Sequence, residues 1–270
     1  MFFLVATPIG NLSDFSQRAI DALKNSDLIL CEDTRHSLHL LRHYGIEKPL
    51  LSLHQFNEKS REERVLQDLE EGRNISLISD AGTPLISDPG FSLVQACIKK
   101  NIPFSAIPGP CSPIQALVLS GFETTRFQFI GFMPRKEGQL QETLRSAFCY
   151  RGTTIAFESP ERLIETLEYI EKLAPLREVA VARELTKLYE ECRRGTASEL
   201  LSHFRSTPPR GEIILLIRQG EFSESEIPLE ELVELLQELH GLSLKEAIKS
   251  AAVLKKIPKN QVYKTIHRIP

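Results

Sequence analysis

A stretch of eleven residues, Asp80 to Gly90, combines two carboxylates, two prolines and two glycines. It follows the apolar run Ile75–Ile78 and precedes Phe91–Ile98, which has the pattern of a helix. A loop between a strand and a helix presents backbone N–H groups at the carboxyl end of a parallel sheet, where open α/β sheets bind ligands. Because a plain connection needs only a few residues, this long loop is more typical of a ligand site than of a turn.

Other predicted strands of the first half also end in polar or rigid turns. Glu32, Asp33 and Arg35 follow the second strand. Asp33 either caps the next helix or contacts a ligand, whereas a functional role is favoured for Arg35. Ser112 lies in the turn Ile107–Pro113, which contains three prolines, and it is available as a helix cap or as a cofactor contact.

Polar residues end the strands of the second half as well. Arg135 and Lys136 follow one strand, Glu158 ends another, and Glu184 follows a third. The two glutamates are equally explained as helix-start carboxylates that the helix dipole favours. Polar strand ends in both halves indicate a cleft between them, which is a common place for small ligands.

Several site types are disfavoured. The first turn, Ala6–Leu12, has one glycine and fits neither the dinucleotide fingerprint nor a P-loop. His36, His39 and His43 share one helical face without nearby Cys or paired carboxylates, so we expect surface or packing histidines and no metal. A serine hydrolase is disfavoured because there is neither a G-x-S-x-G elbow nor a Ser-His-Asp order.

Strands and helices alternate through residue 120. The predicted strands are Phe2–Ala6, Leu28–Cys31, Leu50–Leu53, Ile75–Ser79 and Phe104–Ile107. The predicted helices are Asp14–Leu23, Arg35–His43, Lys59–Leu69, Phe91–Lys99 and Pro113–Leu119. This order predicts an α/β fold with a mainly parallel sheet and helices on its faces.

A second α/β segment and a small helical region follow. Its predicted strands are Arg126–Phe132, Thr153–Phe157, Glu178–Ala182 and Glu212–Ile217, and its predicted helices are Pro160–Leu173 and Ala197–Phe204. Ser243 and Glu246 form a capping box in a helix-turn-helix-like region that ends with a helix over Gln261–His267. We therefore expect an α/β domain over residues 1–120, a second over 121–220, and a helical module over 221–270.

Composition places the chain among ordinary globular proteins. Of its 270 residues 41% are hydrophobic and 26% charged, and the formal net charge is −3. The five cysteines lie far apart, which favours a reducing compartment over disulfides or zinc. No apolar run is long enough to span a bilayer, and the first residues have the pattern of a strand and not of a signal peptide, so a cytoplasmic location is expected.

Charge is distributed unevenly at the C-terminal end. Glu221–His240 contains seven Glu and no Lys or Arg, whereas Ser243–Pro270 contains six Lys and one Arg against one Glu. A basic segment of this kind is either a footprint for phosphate or a solvated helical face that complements the acidic segment before it.

Together these motifs resemble the ribosomal RNA small subunit methyltransferase I family of the tetrapyrrole methylase superfamily. The resemblance rests on an ordered series over about residues 2 to 217: Ala6–Leu12, Cys31–Arg35, Ser79–Gly90, Pro108–Ser112, Gly131–Lys136, Phe157–Ser159, Ala182–Lys187 and Gly211–Ile213. It implies two α/β domains with S-adenosylmethionine in the cleft between them, and a homodimer. It also implies methyl transfer to the ribose 2′-hydroxyl of a cytidine in the decoding region of 16S rRNA.

The resemblance also implies roles for residues. Ala81, Gly82 and Thr83 would meet the methionine part of the cofactor. The adenosine side would be lined by Ser112, Phe132, Met133, Glu158, Ser159, Leu185 and Glu212. The chemistry of the reaction, and not the resemblance, indicates two further residues: a ribose hydroxyl is a poor nucleophile while protonated, and Asp33 and Asp80 are the carboxylates expected to assist it. Substrate contacts are expected from Arg35, Arg135, Lys136, Lys187, Lys255 and Lys256.

The acceptor is where this sequence departs from porphyrin-acting relatives. Their first turn resembles a G-x-G-x-G loop, whereas this chain has Thr7-Pro-Ile-Gly-Asn11. That difference and the basic tail favour RNA as the acceptor. Two alternatives remain: a methyltransferase of a tetrapyrrole or another small molecule, and a non-catalytic RNA-binding assembly factor.

Overall fold

The computed structural model describes residues 1–54, 57–220, 228–255 and 257–267. The chain divides into two compact units, Met1–Gln219 and Gly220–Pro270. Among the described helices none is long and apolar enough to cross a membrane.

The first unit contains two five-stranded sheets, and the first sheet is entirely parallel. Its strands are β1 Phe2–Val5, β2 Leu28–Cys31, β3 Leu50–Ser52, β4 Ile75–Ile78 and β5 Phe104–Ile107, in the order β3-β2-β4-β1-β5. The helices between and after them are α1 Gln17–Lys24, α2 Thr34–His43, α3 Glu58–Glu70, α4 Phe91–Lys99 and α5 Ser112–Ser120. The α/β prediction, with a parallel first sheet, is confirmed.

Both faces of the first sheet are covered. Leu4 packs in a core with residues of α3 and α4 such as Val65 and Leu93. The next residue, Val5, packs in a core with Leu23 of α1 and Leu41 of α2. Successive side chains of a strand point to opposite faces, so the continuous apolar runs of these strands reflect burial on both sides.

The second sheet is mixed. Its strands are β6 Phe127–Phe132, β7 Thr153–Glu158, β8 Glu178–Arg183, β9 Glu191–Thr196 and β10 Ile213–Ile217, in the order β6-β7-β10-β8-β9. Its helices are α6 Glu137–Cys149, α7 Leu163–Leu173 and α8 Ala197–Ser206. Only the β6–β7 pair is parallel. Because β10 runs against β7 and β8, its first residue, Ile213, lies opposite Glu158 and Arg183 at the ends of those strands.

One strand and one α-helix of the first unit were not predicted from the sequence, and two of its helices begin later than predicted. The missed strand β9 is a polar edge strand, and charged edges protect sheets from aggregation. The missed helix α6 buries Leu140, Leu144 and Ala147 at helical spacing. A 3₁₀ turn occupies Leu12–Asp14, so α1 starts after it; α7 likewise begins three residues beyond Pro160.

The second unit is a small helical module. Its helices are α9 Leu229–His240, α10 Leu244–Leu254 and α11 Lys259–Ile266, which share a core that includes Val233, Ile248 and Val262. The predicted capping box is present: the N–H of Ser243 donates to the Glu246 carboxylate, and the N–H of Glu246 to the Ser243 hydroxyl.

Candidate active site

A cavity of about 400 Å³ lies in the unit Met1–Gln219. Four loops line most of it: the loop after β4, the turn after β5, the turn after β7, and the residues around the start of β10. The lining residues are Ile9, Asp80, Ala81, Gly82, Thr83, Ile86, Asp88, Cys111, Ser112, Pro113, Phe132, Phe157, Glu158, Ser159, Pro160, Leu185, Gly211, Glu212, Ile213 and Ile214. Of the residues expected at the cofactor, all except Met133 line this cavity.

The loop after β4 is fastened to its neighbours by hydrogen bonds. Thr7 and Gly82 exchange two backbone hydrogen bonds, of 2.8 and 3.1 Å. The Thr83 hydroxyl donates to the carbonyl of Pro110 at 2.9 Å, and the Ser79 hydroxyl donates to the carbonyl of Gly82 at 3.1 Å. The N–H of Gly82 is therefore used within the protein, and the loop is held in shape by the first turn and by the turn after β5.

Backbone strain is concentrated on both sides of the cavity. Leu85 and Ser87, in the loop after β4, have φ angles of 74° and 71°. Glu184 and Thr186, which follow β8, have φ angles of 49° and 63°. Left-handed conformations are unfavourable for residues other than glycine, and they are found preferentially at ligand sites. This strain is an independent indication that the cavity is functional.

The cavity lining is acidic. It includes Asp80, Asp88, Glu158 and Glu212, and the described lining residues contain no Lys, Arg or His. Glu158 is compensated internally: it accepts hydrogen bonds from the Thr166 hydroxyl at 2.6 Å and from a backbone N–H, and pairs with a guanidinium at 3.4 Å. Glu212 is paired as well, with Lys187 at 2.9 Å. Asp80 and Asp88 are the lining carboxylates outside the described ion pairs, and they favour a cationic ligand and oppose a phosphate.

Asp88 was not singled out from the sequence, although it is the second carboxylate of the long loop. Burial raises the pKa of Asp88 to about 6, with further contributions from the negative charges of Glu32 and Asp80, while the nearby polar side chain of Ser79 opposes the shift. A carboxylate with a pKa near neutrality is suited to proton transfer. The signal that could have found it is the loop's pair of aspartates.

The raised pKa of Asp88 has a consequence for stability. The folded protein holds this proton more tightly than the unfolded chain, so protonation of Asp88 stabilises the folded state. This contribution to the free energy of unfolding is fully present below pH 3.8 and is lost as pH rises through about 6. We expect Asp88→Asn to be more stable than the wild type at pH 8 by roughly 1 kcal/mol, after discounting for solvent screening. Urea unfolding should show this advantage shrinking as pH falls to 5; a difference that does not change with pH would contradict the expectation.

Asp33 and Asp80 occupy different positions at the site. Asp33 caps α2, accepting the N–H of Arg35 at 2.8 Å and pairing with its guanidinium at 3.2 Å. The Arg35 side chain and N–H hold the pKa of Asp33 below its usual value. Asp80 lines the cavity, and its Oδ1 accepts the N–H of Asp33 at 3.3 Å. The two carboxylates are thus neighbours, but Asp33 is not among the lining residues.

Lys187 lies at the rim of the cavity in contact with two carboxylates. Its ammonium group donates to Glu184 at 3.1 Å and to Glu212 at 2.9 Å. Burial lowers the pKa of Lys187, but the hydrogen bonds to Glu212 and Glu184 outweigh it and raise the pKa above its usual value. A Cβ on Gly10 would lie 2.5 Å from Cγ of Lys187, so the first turn approaches this lysine closely.

The other predicted site residues lie elsewhere. Met133 is buried in the core of the second sheet, and its carbonyl accepts a hydrogen bond from Arg162 at 3.0 Å. Arg135 and Lys136 are exposed in the loop before α6. Lys255 is half-buried in the helical module, and Lys256 lies outside the described residues. Within the described ranges no group of His, Cys, Asp and Glu could hold a metal ion.

Known proteins resemble this chain in sequence and in fold. Residues 1–201 match the family of Tetrapyrrole (Corrin/Porphyrin) Methylases. A protein from Halalkalibacterium halodurans named ribosomal RNA small subunit methyltransferase I is 42% identical, covering 98% of this chain and 94% of that protein. A protein of the same name from Thermotoga maritima is 44% identical, and the match covers 81% of this chain and 98% of that protein.

A solved structure shows the same fold at low sequence identity. The uroporphyrin-III-C-methyltransferase of Thermus thermophilus superposes with a TM-score of 0.56 at 18% identity, covering 88% of this chain and 97% of that one. With the family match over most of the chain and relatives above 40% identity over nearly its whole length, the assignment does not rest on fold alone. The chain is a methyltransferase and belongs to the ribosomal RNA small subunit methyltransferase I family of the tetrapyrrole methylases.

Proposed function

We propose that the protein binds S-adenosylmethionine in the acidic cavity and transfers its methyl group to the ribose 2′-hydroxyl of a cytidine in the decoding region of 16S rRNA. The single observation that carries the cofactor assignment is the charge of the lining: carboxylates without a described basic residue. The names of the relatives support the RNA acceptor.

The residues present fit this cofactor. A cavity of about 400 Å³ has the size of a small-molecule site. Ile9, Phe132, Phe157 and Leu185 give it an apolar part suited to a flat base. The carboxylates suit the positive charges of a sulfonium and an ammonium group, whereas they would repel the phosphates of a nucleotide cofactor. When bound, the sulfonium supplies a methyl group that is already reactive.

The chain's own part in the reaction is to position the acceptor and to take its proton. A ribose hydroxyl is a poor nucleophile while it keeps its proton, so a carboxylate that accepts the proton assists the attack. Asp80 and Asp88 line the cavity, and we assign this role first to Asp80. Asp33 then acts through its backbone N–H, which donates to Asp80. Positioning of the two reactants supplies much of the remaining acceleration.

The RNA is proposed to contact basic residues outside the cavity. Arg35, Arg135 and Lys136 are exposed, and Lys187 keeps one ammonium hydrogen beyond its two carboxylate contacts.

The part of this chain without a counterpart in the Thermotoga maritima relative has the size of the helical module. We therefore infer that residues before 220 suffice for catalysis and that the module adds affinity for RNA.

We also propose that the protein acts in the cytoplasm as a homodimer. Ile114, Val118 and Phe127 are large apolar side chains exposed on α5 and on the edge strand β6. Large apolar side chains exposed to solvent favour an interface between subunits. Light scattering of the purified protein distinguishes a dimer from a monomer.

Transfer of a labelled methyl group tests the proposed function. Purified protein is incubated with methyl-labelled S-adenosylmethionine and either small ribosomal subunits, free 16S rRNA or a porphyrin precursor. We expect label in the rRNA, at a 2′-O-methylcytidine that mass spectrometry locates. Label only in the porphyrin would support the small-molecule alternative, and cofactor binding without any transfer would support the assembly-factor alternative.

Deletion of Ser243–Pro270 tests the role of the helical module. Lys245, Lys249, Lys259 and Lys264 are exposed on it, and lysines that meet phosphates release counterions. We expect the truncated protein to show a higher KM for rRNA and a flatter dependence on salt. Its affinity for S-adenosylmethionine should not change, because the cavity is lined by residues before 220.

The contrary outcome for this deletion is equally specific. If the module stabilises the α/β unit or a dimer partner instead, truncation would lower the melting temperature and the cofactor affinity together. RNA binding would then show no selective loss.

A further inference from the structure

Helix α2 carries an unusual exposed face. Five basic or ionisable side chains fall within an arc of about 120° around the helix axis, given 3.6 residues per turn: Arg35, His36, His39, Arg42 and His43. All five are exposed, whereas Ser37 and Leu41 are buried on the opposite side. The helix contains no Asp or Glu. We call these five residues the α2 basic face.

The α2 basic face begins beside the cavity. The helix starts directly after Asp33, whose N–H donates to the cavity residue Asp80 at 3.3 Å. At the other end, the Tyr44 hydroxyl donates to the carbonyl of Leu12, and its ring packs against Phe15. The helix is therefore fixed at both ends, and its basic face has a set position relative to the reacting groups.

The cavity itself cannot hold a polyanion. Its described lining has carboxylates and no basic residue, and the cations that touch these carboxylates are already paired: Lys187 with Glu212 at 2.9 Å, and Arg162 with Glu158 at 3.4 Å. An RNA whose ribose enters the cavity mouth must therefore be held by cations next to it. Arg35 meets this need, because its side chain is 90% exposed although it pairs with Asp33.

We propose that the α2 basic face binds the phosphate backbone of the RNA next to the target ribose. This inference rests on the proposed function. From Arg35 to His43 the face extends about 12 Å along the helix, at 1.5 Å per residue, which is enough to meet two or three successive phosphates. Guanidinium groups grip phosphate oxygens with two donors, and imidazole N–H groups donate to them as well.

Binding of end-labelled 16S rRNA, measured without methyl donor over a range of KCl concentrations, tests the proposal. The variants are Arg42→Ala, Arg42→Glu and His39→Ala with Arg42→Ala. The matched control is Arg145→Ala, which removes an exposed arginine from α6. We expect Arg42→Ala to weaken rRNA binding several-fold and to reduce the slope of log K against log salt by about 1. The double variant and Arg42→Glu should weaken it further.

Three results would overturn the proposal. The Arg42 variants could bind rRNA with the affinity and salt slope of the wild type, Arg145→Ala could lose as much rRNA affinity as they do, or the Arg42 variants could lose S-adenosylmethionine affinity to a matching extent by calorimetry.

The readouts separate this proposal from the proposed function. If the wild type binds rRNA through α2 yet transfers no methyl group to it, the proposed function fails alone. If the wild type methylates rRNA and the Arg42 variants bind it normally, the α2 proposal fails alone.

Discussion

Valine in place of Gly82 is expected to abolish binding of S-adenosylmethionine while the protein stays folded. Gly82 has a φ angle of +82°, and a Cβ there would lie 3.2 Å from Cγ2 of Ile9, another cavity residue. A β-branched side chain must either leave this conformation, which breaks the two hydrogen bonds to Thr7, or displace Ile9. A left-handed non-glycine residue costs of order 1–3 kcal/mol. If the free loop relieves this strain and binding must restore it, the strain alone raises the dissociation constant by roughly 5- to 150-fold, and displacement of Ile9 weakens binding further.

Gly45→Val separates the effect on the site from general backbone strain. Gly45 has a φ angle of +62°, a Cβ there would meet nothing within 4 Å, and it does not line the cavity. Both variants should lose some stability on thermal unfolding, but calorimetry should show cofactor binding lost only in Gly82→Val. Normal affinity in a folded Gly82→Val protein would remove the loop after β4 from the cofactor site.

Local signals in the sequence indicated three of the four loops that line the cavity, those after β4, β5 and β7. The residues at the start of β10 were indicated only by the family resemblance. The run from Asp80 to Gly90 is too long and too rich in Gly and Pro for a plain connection, and it does line the cavity. The capping role of Asp33 was also foreseeable, as one of two open interpretations. These predictions depend on neighbouring residues alone, which is the information that a single sequence holds.

What the sequence could not supply depends on contacts between distant segments. The inward position of Met133 follows from an irregularity in β6: its register with β7 shifts between Phe129 and Phe132, and Gly131 is left-handed. A bulge changes which side chains face the core, and periodicity cannot reveal it. Similarly, the pKa of Asp88 is raised mainly by burial, with further contributions from the charges of Glu32 and Asp80, and the burial exists only in the folded protein.

Asp80→Asn is expected to lose turnover far more than cofactor affinity. Asparagine keeps an oxygen that can accept the N–H of Asp33, so the local geometry is preserved while the charge and the basicity are removed. If the carboxylate takes the proton of the acceptor hydroxyl, its interaction strengthens mainly in the transition state. Single-turnover rates with saturating rRNA and S-adenosylmethionine should then fall by about 10²–10⁴-fold, the usual contribution of a general base.

Asp33→Asn is the matched comparison, since it changes the neighbouring carboxylate in the same way. The side chain of Asp33 is committed to the N–H and guanidinium of Arg35, and its lowered pKa makes it a weak base. We expect a smaller loss of turnover in this variant, with cofactor affinity close to that of the wild type. A larger loss in Asp33→Asn than in Asp80→Asn would transfer the role of base to Asp33. Small and equal losses in both would mean that the enzyme works by positioning its two reactants, without a carboxylate base at either position.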